Sequence, residues 1–161
     1  FFDDAVTLYL LCIHGAKNSW CELRALLDLA VMMKSFAEPV WAETVQVMRE
    51  QGSASMLTTG VLLANRLFGV PLPPAAAAQT GRRPVRLAAA IQKHWQARGQ
   101  ERPSAWQRLL WDVRFREGGQ ECRRYLLFRL QPTRTDQVHK RLPAPLVYFK
   151  RFARIFRTAR T

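Results

Sequence analysis

The chain has 161 residues, 48% of them hydrophobic, and a formal net charge of +13. That length and apolar content amount to about one ordinary domain with a sizeable core, which excludes disorder over most of the chain. The charge is unevenly placed: residues 1–81 hold 5 Lys/Arg against 7 Asp/Glu, and residues 82–161 hold 20 against 5, so the halves carry −2 and +15. A field of that size attracts phosphate, on a nucleotide, a nucleic acid or an anionic lipid surface, without choosing among them.

Apolar residues recur at helical spacing between Gly and Pro punctuation, and strand signals are scarce. The expected fold is all-α, a compact bundle of about seven or eight helices with no substantial sheet. The first helix runs from Asp3 or Asp4 to about Lys17, its acidic start suiting the positive end of the helix dipole. Its nearly continuous apolar body predicts a central position. A second helix starts at Ser19, where Ser19-x-x-Glu22 has the form of a capping box, and continues to about Lys34, making a hairpin with the first.

A third helix follows Pro39 and ends near Gly52, and a fourth runs from about Ser53 to Phe68, stopped by Gly69 and the prolines after it. The four-helix acidic half is thus residues 1–70. The Pro- and Ala-rich stretch 71–84 is expected to be a linker and the least ordered connection. The basic half, 85–161, opens with helices over Pro84–Ala97, Ser104–Glu117 and Gln120–Leu130, the last two divided by Gly118-Gly119, with their aromatic residues facing the core. A terminal amphipathic helix runs from Pro145 to about Thr158, with Tyr148, Phe149, Phe152, Ile155 and Phe156 on one face and Lys150, Arg151, Arg154 and Arg157 on the other.

Cys12, Cys21 and Cys122 are odd in number, lack C-x-x-C spacing and lie in apolar helical patterns, so they read as buried small hydrophobes in a reducing compartment. The opening Phe1-Phe2-Asp3-Asp4 has neither a starting Met nor a basic n-region, and reads as part of a longer chain without a secretory signal. The apolar runs Ala5–Ile13 and Met56–Ala64 fall well short of the roughly 20 residues that span a bilayer. The expected location is cytoplasmic, with the terminal helix able to lie peripherally on the inner membrane surface.

His14, His94 and His139 are scattered and match no zinc spacing, so no metal is expected on this chain. Gly52-Ser53 lacks the Lys-Ser/Thr ending of a P-loop, and both it and Gly118-Gly119 read as helix breaks. The segment His14-Gly15-Ala16-Lys17-Asn18-Ser19-Trp20, followed by Arg24 and Asp28, admits two readings. A helix N-terminus, a lysine and an imidazole converge there as an anion pocket, with Gly15 allowing close approach to the backbone. Alternatively His14 is an interhelical histidine, Lys17 caps the first helix, and Arg24 pairs with Asp28 at i,i+4. Elementary physical chemistry alone favours the second.

The same residues carry a resemblance. His14-Gly15-Ala16-Lys17, then Trp20, Leu23, Asp28 and Ala30, is similar to the helical C-terminal part of the uncharacterised nucleotidyltransferases of the polymerase-beta type. There a His-Gly-x-Lys-His-x-Trp segment leads into a helix containing Leu and Asp. The order of later features is also similar: Gly69 to Pro73 after a Leu-Leu-Ala helix, Arg-rich helices, and Leu142-Pro143 before a basic terminal helix. Asn18 stands where the family has a second His, and Glu22 and Ala25 where Arg and Trp are expected.

The resemblance implies transfer of a nucleotidyl group from a nucleoside triphosphate to an acceptor, with Mg held against the phosphates by carboxylates on a sheet. This chain lacks the Gly-Ser and Asp-x-Asp pattern, so the catalytic carboxylates are expected in an upstream nucleotidyltransferase domain, and this domain as the substrate-facing or lid half. His14, Lys17, Arg24 and Asp28 would then contact triphosphate or acceptor, with Gly15 and Trp20 supporting the pocket. A different class of function, a non-catalytic basic module, rests on Trp95, Trp106, Trp111 and Tyr125 gripping nucleic acid, or on the terminal helix lying on anionic lipid.

Overall fold

The computed structural model describes residues 3–99, 101 and 103–130, and every regular element among them is a helix. In chain order these are α1 (Asp4–Lys17), α2 (Leu23–Ser35), α3 (Glu38–Glu50), α4 (Ala54–Phe68), α5 (Pro74–Ala77), α6 (Arg82–Arg98), α7 (Ala105–Arg114) and α8 (Gly119–Leu130). The class is the expected one, all-α. The terminal amphipathic helix, with Lys150, Arg151, Arg154 and Arg157, lies outside the described residues.

Local chemistry accounts for most of the boundaries. The Asp3 carboxylate accepts from the Ala5 N–H at the start of α1. Pro39 occupies the first turn of α3, where a missing N–H is harmless. Gly69, at φ 66°, closes α4 in the left-handed conformation that glycine adopts without penalty. Ser104 and Gln107 form a complete capping box at the head of α7.

The centre of the bundle is α4, a correction to the expectation that α1 holds that place. Every residue of α4 from Ala54 to Ala64 is buried, and α1, α2, α3, α5 and α6 pack around it. Small residues make this crowding feasible, and the two threonine hydroxyls among them are satisfied locally: Thr58 donates to the Ala54 carbonyl at 3.0 Å and Thr59 to that of Ser55 at 2.6 Å. By contrast α1 leaves Val6 and Leu10 exposed, since its larger side chains present only one face to the core.

The stretch 71–84 folds as a packed strap. It includes the short helix α5, which the sequence reading did not anticipate. Pro73, Ala76 and Pro84 are buried, and the Ala75 N–H donates to Glu38 Oε1 at 2.6 Å, tying α5 to α3. Beyond it, Leu87, Ala88 and Ile91 of α6 complete the wall around α4, so the two halves share one core.

α7 joins the same core through Trp111 and Phe115. The α3–α4 and α7–α8 turns meet backbone to backbone: the Glu117 N–H donates to the Gly52 carbonyl at 2.7 Å, while Ser55 Oγ donates to the Glu117 carboxylate. Among the described residues no helix is long and apolar enough to cross a membrane.

Candidate functional site

The segment His14–Trp20 forms the end of α1 and the turn into α2. The expected capping box does not form: α2 begins at Leu23, Glu22 makes no side-chain cap, and Ser19 is wholly buried with its hydroxyl unpartnered among the described residues. The reason lies in the backbone. Ser19 and Trp20 both adopt left-handed conformations, at φ 55° and 53°, and the Trp20 N–H donates to the Gly15 carbonyl at 2.7 Å. The chain thus curls back and carries the Trp20 ring into the interior.

That ring is fully buried and lies against two glycines, Gly15 on α1 and Gly60 on α4. A methyl group built at either position would overlap the indole carbons. The close approach expected at Gly15 therefore exists, and the group that approaches is Trp20. Gly60, the other wall, carried no sequence signal beyond its being a glycine in an apolar helix.

Apart from Ser19, the polar residues of the segment reach the surface. His14 Nε2 accepts from the Asn18 side-chain amide at 3.1 Å, in the tautomer that leaves this nitrogen unprotonated, and lies 3.8 Å from Glu22 Oε2. Lys17 is exposed at the C-terminal end of α1, where its charge suits the helix dipole. Asp28 is exposed one turn beyond Arg24, and the alternative Arg24–Asp28 ion pair is not formed: with His14 neutral beside Glu22, the ion pair among the described residues is Arg124–Glu121.

Beside Asn18 and Glu22 the surface opens into a cleft of about 330 Å³ at the N-terminus of α2. Arg24 from α2, Arg108 from α7 and Pro103 are among the residues that line it. Neither arginine is ion-paired among the described residues. The first amides of α2 add the partial positive charge of an uncapped helix start. Two guanidiniums and a helix N-terminus around one cavity suit a phosphate or carboxylate. Of the predicted residues, Arg24 lines this cleft and His14 reaches its edge through Asn18 and Glu22; Gly15 and Trp20 form the core behind it, and Lys17 and Asp28 lie outside its lining. Arg108, distant in sequence, was not foreseen.

Cys21 lines both the cleft and a second, apolar slot of about 180 Å³, whose other lining residues are Leu23, Leu26, Leu67, Trp95 and Gly99. Burial pushes the Cys21 thiol up; the Trp95 indole N–H opposes this, Glu22 reinforces it, and the Arg108 charge opposes it. The aromatic residues of the basic half are divided: Trp111 is buried with its ring edge-on to His94, Trp95 and Tyr125 are half-buried, and Trp106 is exposed. Tyr125 donates to Asp112 and lies under the Arg116 guanidinium, 4.2 Å from its centroid.

With this geometry in view, a comparison with protein families bears on the first four helices. Residues 2–69 match the family of uncharacterised nucleotidyltransferases. The match takes in the His14–Trp20 turn, Arg24, and α4 to its glycine cap, and it relates this part of the chain to nucleotidyltransferases in general. Comparisons with curated proteins and with solved structures give no match.

The Mg that nucleotidyl transfer implies does not fit the donors here. Glu22 is the one carboxylate lining the cleft and lies against His14, and among the described residues no three His, Cys, Asp or Glu side chains gather as a metal site would require.

Proposed function

We propose that this domain is the helical, substrate-facing half of a nucleotidyltransferase-like protein, and that the cleft between α2 and α7 receives a phosphate group of the nucleoside triphosphate or of the acceptor. The observation that carries this reading is that Arg24 and Arg108, from different helices, line one cavity at the head of α2. The family match supports a general relationship to nucleotidyltransferases; on this reading the carboxylates and metal that perform the transfer lie in an upstream domain. In this division of labour the arginines hold charge and orientation: a guanidinium grips two phosphate oxygens at once, which fixes direction as well as position. Lys17 and His14 supply field at the rim, and the basic helices add long-range attraction.

The test is nucleotide affinity of the intact protein at low salt. Replacing Arg108 by Gln should weaken nucleoside triphosphate binding by about tenfold, the loss of one charge-assisted contact, with an unchanged melting temperature. Lys17→Ala, at the rim, should weaken it less. Unchanged affinity in Arg24→Gln and Arg108→Gln together would remove the cleft from the mechanism.

A further inference from the structure

The cleft and the apolar slot share Cys21 and Leu23 in their linings, so the two adjoin. Their chemistries differ sharply. The cleft offers Arg24, Arg108 and the head of α2, whereas the slot is walled by Leu23, Leu26, Leu67 and the Trp95 ring. The Trp95 indole nitrogen is itself buried, so its N–H is not offered to a ligand. A nucleobase placed there would give up hydrogen bonds to water for an almost wholly apolar lining, a net loss. An apolar ring meets no such penalty, and the slot's volume of about 180 Å³ exceeds the roughly 150 Å³ of apolar cavity that suffices to bind benzene.

From this pairing we infer that the site takes an organic phosphate bearing an apolar ring or short alkyl group, its phosphate between Arg24 and Arg108 and its apolar part in the slot formed by Leu26, Leu67 and Trp95. The inference rests on the phosphate-binding reading above and deepens it: the cleft takes a phosphate group, the slot adds affinity for one that carries an apolar group, and the base of a nucleotide lies outside the slot.

Calorimetric titration of the intact chain at low ionic strength with phenyl phosphate, inorganic phosphate and AMP tests it. Phenyl phosphate should bind about tenfold or more tighter than inorganic phosphate, as burial of an aromatic ring predicts. AMP should gain little over inorganic phosphate. Leu67 is 42% exposed, so Leu67→Gln should leave the fold intact, as its melting temperature will show, and should bring phenyl phosphate down to the affinity of inorganic phosphate while leaving the latter unchanged. Arg108→Gln should weaken both. Equal affinities for phenyl and inorganic phosphate, or AMP binding more tightly than phenyl phosphate, overturns the inference. If the arginine variants still weaken phosphate in that case, the phosphate-binding reading survives. Absence of binding by all three probes removes both.

Discussion

Trp20 shows how opposing residue-scale terms are resolved. Two consecutive non-glycine residues with positive φ cost about 1–2 kcal/mol each. Burying an indole withdraws about 150–250 Å² from water, worth roughly 4–6 kcal/mol at about 25 cal/mol per Å². Burial of the ring is the term that opposes this strain and the cost of the unpartnered Trp20 Nε1 and Ser19 Oγ among the described residues. Because the ring fills the space above Gly15 and Gly60, Gly60→Ala should destabilise the domain by about 1–3 kcal/mol through overpacking. Trp20→Phe added to Gly60→Ala should cost less than the two changes separately; strict additivity in urea unfolding would show that the ring and the glycine do not act together.

Cys12 gives a pH dependence with a definite sign. Burial holds its thiol far above its ordinary value of 9.0, so between those two values the folded chain keeps a proton that the unfolded chain has released. Its contribution is fully present below pH 9 and declines above it, by up to about 1.4 kcal/mol per pH unit. Urea unfolding at pH 8 and pH 10 should therefore show a smaller loss for Cys12→Ala than for the unaltered chain. Parallel losses would contradict the assignment.

At the scale of elements, the junction between the α3–α4 and α7–α8 turns depends on Gly52. Its φ is 61°, and a Cβ there would stand 2.8 Å from the Glu117 carbonyl oxygen. Gly52→Ala should loosen α7 and α8 from the core while leaving α1–α4 folded, read out as faster proteolysis around Gly118-Gly119; an unchanged cleavage rate would mean that the junction tolerates the methyl. Most helices could be read from sequence because their stops and starts are local: Asp3, Pro39, Gly69 and Ser104 each act within one turn. The Ser19 box was misread because its spacing is also local, whereas the burial of Trp20 that overrides it depends on Gly60, far along the chain. The centrality of α4 was hidden for a similar reason. Apolar content marks α1 and α4 alike, and only the space that Ala, Ser, Thr and Gly leave for five neighbours separates them. Half of the cleft was legible, in Arg24 and the turn before it. Arg108 carried no signal, because nothing in the periodicity of an Arg-rich helix says which other helix end it will face.

At the scale of the molecule, the segment that matches the family shares its core with the helices after it. α4 needs α6 as a wall, through Leu87, Ala88 and Ile91, and needs the α5 strap against α3. Residues 1–70 alone should therefore lack cooperative thermal unfolding and bind hydrophobic dyes, whereas residues 1–130 should melt in a single transition. A sharp transition in the shorter piece would show that the acidic half is self-sufficient. The position of the two arginines has a further consequence for motion. Arg24 belongs to the α1–α4 half and Arg108 to α7, so an anion held between them acts as a removable rivet across the two halves. Ligand then stabilises only those openings in which the rivet must break. Amide hydrogen exchange with saturating phenyl phosphate should slow across α7 and the start of α2, and remain unchanged in α3, whose openings leave both arginines in place.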